Sequence, residues 1–290
     1  MDSYDSLARF HLPGIFEFWN LYSKILLPEY KINRYKFKDN VEIGSVYDSP
    51  GGIFNGGRLM SGLTSPHFYP EIKEFLEDMN IPLRFVCSNN QLQEQHLVDT
   101  YSNDYLDFFN TGRNEIIVSS NLLEDYLRQK YGDSYKYISS TTKVIRDSKI
   151  LQQELNKNYY LVVLDYLLNH NMKLLKKLDN REKIELLLNA YCNPNCKKRF
   201  EHYECESTDQ IKGQFPDFFP CPWGYKRFDE ALKNSTTTHQ EEINDYLTLG
   251  IYNFKIEGRG NNPVDLVESL VYYLIKEEYA IEMRIKMLTL

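Results

Sequence analysis

Long apolar runs are the first thing this sequence lacks. No window approaches the ~18 uncharged apolar residues that a membrane-spanning helix needs, so no membrane association is expected. Basic charge is also short: 34 Lys and Arg face 41 Asp and Glu, for a net charge of −7. That balance denies the chain the broad basic footprint of most nucleic-acid binders. Cysteine is scarce, at five in 290 residues. An odd count in a chain of this length does not form a disulfide framework. The first residues, MDSYDSLARF, hold no basic region followed by an apolar run and predict no secretory signal. A reducing, cytoplasmic setting is therefore expected, where clustered cysteines bind metal or do chemistry. The 23 Tyr and 16 Phe point to no function by themselves.

What is present is a rhythm. Short β-rich runs occur at Val41 to Tyr47, Leu83 to Cys87, Glu115 to Val118, Tyr135 to Ser139, Tyr159 to Leu164, Ile184 to Leu188 and Tyr252 to Ile256. Helical stretches alternate with them at about 68–79, 91–109, 147–156 and 168–178. One more is expected from Asn121, read as an N-cap with Glu124 completing a capping box, to Gly132. A last one starts at Asn262 and Pro263, with Leu266, Leu270, Val271, Leu274 and Ile275 in helical spacing. Seven strand–helix units predict an α/β fold with a parallel sheet, best closed as a TIM-like β/α barrel. The eighth strand cannot be identified, so the barrel could be incomplete. No linker divides the chain, which reads as one domain over 1–290. Residues 1–40 read as an irregular or helical extension whose aromatics (Phe16, Phe18, Trp19, Tyr22) pack across one end. Residues 189–250 read as an insertion after the sixth recognisable strand.

Barrel enzymes place chemistry on the loops after the strands. The strand ends offer Asp48, Ser88, Asn89, Ser119, Thr141, Lys143, Asp165 and Asn189. Polar residues at strand ends also simply meet water, which accounts for about half of them. That account does less well with Lys255, Glu257 and Arg259, which alternate out of an apolar strand. These three and Asp165 are the candidate catalytic residues. The loop after Asp48 contains Gly51, Gly52, Gly56 and Gly57 followed by Arg58. It could offer backbone N–H groups to an anionic cofactor or substrate, although it has neither Walker nor dinucleotide spacing. A tight turn explains the same glycines.

Four of the five cysteines, Cys192, Cys196, Cys205 and Cys221, fall in one polar segment with the spacing C-x3-C-x8-C-x15-C. Four thiolates complete a tetrahedral zinc site or a [4Fe–4S] cluster. The segment lacks the paired short knuckles of structural zinc, and the tighter triad of radical-SAM enzymes would need its third thiol at Arg199. The irregular ladder, with Pro222 directly after the last cysteine, favours iron–sulfur and leaves zinc as the alternative. His202 could replace one thiol in a zinc site. Cys87, inside a strand, reads as core.

The segment NAYCNPNCKKRFEHYEC…CPW, joined to GIYNFKIEGRG further on, resembles the collagenase-like peptidase family. That family includes the oxygen-independent hydroxylation proteins of ubiquinone biosynthesis and RNA modification. The resemblance is confined to residues 184–260, and the first two cysteines stand closer together than the family pattern has them. It implies a β/α-barrel core, a [4Fe–4S] cluster on Cys192, Cys196, Cys205 and Cys221, and a cavity lined by Lys255, Glu257 and Arg259.

Four functions follow as alternatives. The first is an iron–sulfur redox or oxygen-independent hydroxylation enzyme acting on a small or conjugated substrate. The second is a non-catalytic iron–sulfur partner of a related chain, docking through its aromatic N-terminal stretch. The third is a peptidase-like hydrolase with structural zinc. It is disfavoured because no H-E-x-x-H and no Ser/His/Asp grouping is visible. The fourth, RNA binding, has only Lys197, Lys198 and Arg199 in its favour, and a solvated turn accounts for those.

Overall fold

A computed structural model describes residues 7–213, 219, 221 and 227–289. Eight parallel strands close into a barrel in sequence order. They are β1 (Ala8–Pro13), β2 (Val41–Asp48), β3 (Leu83–Cys87), β4 (Glu115–Val118), β5 (Lys136–Ser139), β6 (Leu161–Val163), β7 (Ile184–Leu187) and β8 (Asn253–Lys255). Around them run α1 (Leu27–Ile32), α2 (Tyr69–Asp78), α3 (Thr100–Phe108), α4 (Asn121–Tyr131), α5 (Ser148–Asn156) and α6 (Met172–Leu175). The outer ring continues with α7 (Arg199–Lys212), α8 (Phe228–Ala231), α9 (Ile243–Thr248), α10 (Pro263–Leu274) and α11 (Ala280–Leu288). The barrel is complete. Among the described residues no helix is long and apolar enough to cross a membrane.

The strand that sequence patterning misses is β1, which pairs with both β2 and β8 and so closes the ring. Its sequence, ARFHLP, breaks the apolar alternation with His11, and His11 is buried inside the barrel. Residues 1–40 therefore hold a core strand and α1. Phe16 packs tilted or edge-on against Tyr69, Phe85 and Phe109, which draws the aromatic stretch onto the fold. With β1 counted, the cysteine segment follows the seventh strand, not the sixth. The helix expected over 91–109 forms only from Thr100, because the Asp99 side chain accepts from Ser102 N and starts it there. Helix α4 is capped by Ser120, whose side chain accepts from Leu123 N, one residue before the expected cap. Gly132 does end α4 at φ +54°, and Asn262 does cap α10 by accepting from Asp265 N.

Alternation along the strands stacks the interior in layers. In the register, Arg84 stands opposite Glu115 and Glu185 opposite Asn253. Two residues further on, Val86 stands opposite Ile117 and Leu187 opposite Lys255. The lower layer is ionic. Arg84, fully buried, donates to Glu115 and Glu185 and contacts His11 Nε2 at 3.2 Å. His11 is held at about 3, hence neutral, by burial and then by the Arg84 charge. Burial, the largest single cause, favours protonation of Glu185, but the charge and hydrogen bond of Arg84 together with His11 and Lys255 outweigh it and hold the carboxyl below its ordinary range. The layer above is apolar: Tyr47, Val86, Ile117, Ile138, Leu161 and Val163 form one cluster. Outward-facing Phe254 and Ile256 join the main core under the helices.

Candidate functional site

Strand β8 and the segment that continues it carry Asn253, Lys255 and Glu257 up the inside of the barrel. Asn253 Oδ1 lies 3.3 Å from His11 Nε2 in the ionic layer, while Lys255 and Glu257 reach a cavity of about 300 Å³ at the C-terminal mouth. The apolar side chains of Val86, Ile117 and Leu187 also line that cavity. The charges expected to act together, Lys255, Glu257 and Arg259, do share this cavity.

Each is held differently. Glu257 accepts two 2.7 Å contacts from Arg58 Nη2. Its backbone is clamped by Asn189, which donates from Nδ2 to Glu257 O at 2.9 Å and accepts from Glu257 N at 2.7 Å. Arg259 donates to Asn55 Oδ1 at 3.3 Å and stands 3.7 Å from Asp48. Asp48 is anchored by the backbone N–H groups of Ser49 and Phe16. Burial raises its carboxyl above the ordinary range, and Arg259 opposes that.

Lys255 has neither kind of partner among the described residues. Its Nζ sits 3.9 Å above the centre of the Tyr47 ring, and Tyr47 spends its hydroxyl on Ile256 O at 2.6 Å. Burial, the largest cause, pushes the amine down to about 7; Glu185 opposes the fall and Arg84, Arg259 and Arg58 reinforce it.

The remaining expected residues divide. Arg58 lines the cavity, but Gly51, Gly52, Gly56 and Gly57 do not. These glycines serve close packing. A Cβ on Gly51, at φ +102°, would come within 2.6 Å of Gly62 O, and one on Gly57 would meet Ser88 and Thr142 at 3.1 Å. Asp165 is buried beneath the site, where Arg199 and Arg146 donate to it and its Oδ1 accepts from Leu167 N. It positions Arg199 rather than facing the cavity.

Three of the four cysteines, Cys192, Cys196 and Cys221, line the same cavity. Cys192 accepts a contact from Arg58 Nη2 at 3.6 Å; burial raises its thiol and Arg58 opposes the rise. Cys205 is not brought there and instead donates to Asp209 Oδ2 at 3.5 Å along α7. His202 lines the cavity too, stacked on Phe219 at 4.6 Å and bonded to Glu206 at 3.1 Å. Thiolates are the donors that iron–sulfur clusters require, and three thiols border this rim. Among the described residues, however, no three Cys, His, Asp or Glu side chains are gathered closely enough to hold a metal ion. Pro222 and Trp223 lie outside the described residues.

Several residues of the site escape sequence reading. Arg199, expected in a solvated turn, is only 3% exposed, and Tyr203, one turn further along α7, only 1%. Arg199 Nε, Tyr203 OH and Asn261 Nδ2 are buried and have no hydrogen-bond partner among the described residues, yet all three residues border the cavity. An orphaned buried donor costs about 1–3 kcal/mol. With Lys255, four polar groups of the residues bordering the cavity can donate and lack an acceptor among the described residues. The helical spacing of Arg199 and Tyr203 was the available signal, masked by the lysines before them.

Fold and site together define a β/α-barrel protein with a donor-rich cavity at its C-terminal mouth. The structure is similar to that of the U32 peptidase Mk0906, with a TM-score of 0.56 and 12% identity, covering 89% of this chain and 95% of that one. At that identity the likeness establishes a fold relationship to U32, collagenase-like peptidases. No family model matches the sequence, and no curated protein matches it.

Proposed function

We propose that this chain is an iron–sulfur barrel enzyme. In this reading Cys192, Cys196 and Cys221 hold a cluster at the cavity rim, and a small anionic substrate lies among Lys255, Arg199, Tyr203 and Arg259. One observation carries the reading: three thiols and the alternating charges Lys255, Glu257 and Arg259, at and just beyond the end of β8, border one cavity at the C-terminal mouth of the barrel. When bound, such a cluster supplies electrons or an open iron position, which suits redox modification or oxygen-independent hydroxylation.

The chain's own residues have definable tasks. Arg199, Tyr203 and Asn261 donate to the substrate's anionic end. Asp165 fixes the Arg199 guanidinium so that Nε stays free. Arg58 bridges Glu257 and Cys192 at the rim and favours the Cys192 thiolate against burial and the Glu257 charge, which oppose it. Val86, Ile117 and Leu187 keep water from the lower wall.

Single Cys→Ala variants isolated without oxygen test the assignment. Iron and visible absorbance should disappear in the variants at 192, 196 and 221 and persist in Cys205→Ala. Equal loss in Cys205→Ala, or retention in the other three, would overturn it.

A further inference from the structure

The amine of Lys255 is the one group in the cavity whose placement the anion-binding account does not explain. A lysine meant only to hold a carboxylate gains most when its charge is stable, with acceptors or solvent around it. Lys255 has the opposite surroundings. It is 8% exposed, lies on a β-strand at the barrel mouth, faces an aromatic ring instead of a carboxylate and sits in the same layer as Leu187. Among the described residues no hydrogen-bond acceptor restrains its Nζ, so its lone pair is available to whatever enters the cavity.

We propose that Lys255 condenses with the carbonyl carbon of a small 2-oxo acid, forming an imine while the orphaned donors of Arg199, Tyr203 and Asn261 take the carboxylate. This deepens the reading of the cavity as a substrate site and rests on it, but does not depend on which metal the rim holds. Two chemistries must coexist in one molecule for these groups to be used together. An acceptor-rich anionic end answers three orphaned donors, and an electrophilic carbon answers a desolvated amine. A 2-oxo acid is the smallest class with both, and a cavity of about 300 Å³ is at the small-ligand end of binding sites.

The condensation balances without an added oxidant or reductant. The Lys255 nitrogen lone pair attacks the carbonyl carbon and the C=O π pair moves to oxygen. A proton passes from nitrogen to that oxygen, giving a carbinolamine. A second proton allows water to leave, and the nitrogen lone pair forms the C=N bond. Desolvated lysines are the ones that perform this step at neutral pH, and the low proton affinity of Lys255 is in keeping with it.

Reductive trapping is the test. The full chain is incubated with pyruvate and sodium cyanoborohydride at neutral pH, then digested and mapped by mass spectrometry. Hydride addition to the imine carbon leaves a stable secondary amine bearing the reduced pyruvyl group. The expected result is modification of Lys255 at least tenfold faster than any other lysine, slowed by excess lactate, which has the carboxylate but no carbonyl. Lys255→Met should lose the adduct while keeping its circular dichroism and a cooperative melting transition at or above that of the unsubstituted chain. Calorimetric titration with lactate separates the two layers of the claim. Lactate binding with Lys255 unmodified by pyruvate would sink the imine and leave the anion-binding cavity standing. Absence of binding by either acid, with labelling scattered over surface lysines, would sink both.

Discussion

Replacing Lys255 by Met should stabilise the protein, and by an amount that depends on pH in a defined way. Burial lowers this amine from 10.5 to about 7. Each tenfold change in proton affinity is worth about 1.4 kcal/mol, so the charged amine costs the folded state up to about 5 kcal/mol. The sign follows from proton binding. Below pH 7 both folded and unfolded chains hold the proton, and the full penalty is present. Between pH 7 and 10.5 only the unfolded chain holds it, so the penalty shrinks as pH rises; above 10.5 it is gone. The groups acting on Lys255 are Glu185, which favours its charge, and Arg84, Arg259 and Arg58, which oppose it, together with the Tyr47 ring. Methionine keeps most of the aliphatic volume and gives up the ring contact, a loss of about 1 kcal/mol. Urea unfolding of both proteins should show Lys255→Met ahead by about 4 kcal/mol at pH 6 and by about 1 kcal/mol at pH 9. A variant that is less stable at both pH values, by the same margin, would refute the reasoning, because it would mean that the native fold satisfies the charge.

The ionic layer below should respond in the opposite direction. Arg84→Met leaves Glu115 and Glu185 buried without their cation and should cost about 3–5 kcal/mol; adding Glu115→Gln and Glu185→Gln should recover much of it, as read by chemical denaturation. Tyr203→Phe removes a hydroxyl that has no partner among the described residues. Stability should therefore rise by about 1–3 kcal/mol, while lactate affinity measured by calorimetry falls by about tenfold.

The architecture was legible because seven of the eight strands are short apolar runs with turn or helix signals between them, and periodicity reports such runs directly. Strand β1 escaped for a physical reason. It spends an inward position on His11, which belongs to the Arg84–Glu185 layer, so its pattern reads as polar although its burial is nearly complete. Polar barrel interiors hide strands in this way. On the site, the alternation of Lys255, Glu257 and Arg259 carried real information, because a period of two projects every second residue to the same side of a strand. The glycines after Asp48 carried less. Their sequence signal is the same whether the backbone must approach a ligand or, as with Gly51 against Gly62 O, another part of the chain. The cysteine ladder announced a cluster of thiols but not which face of α7 each would take. Cys205 turns to Asp209 while Arg199 and Tyr203, on the same helix, turn to the cavity, and that choice depends on where α7 packs on the barrel.

Metal content of the chain isolated without oxygen tests the central claim most directly. Iron and acid-labile sulfide in equal amounts, with brown colour that bleaches in air and no stoichiometric zinc, is the predicted result. Colourless, iron-free protein, or protein carrying one zinc per chain, would contradict it.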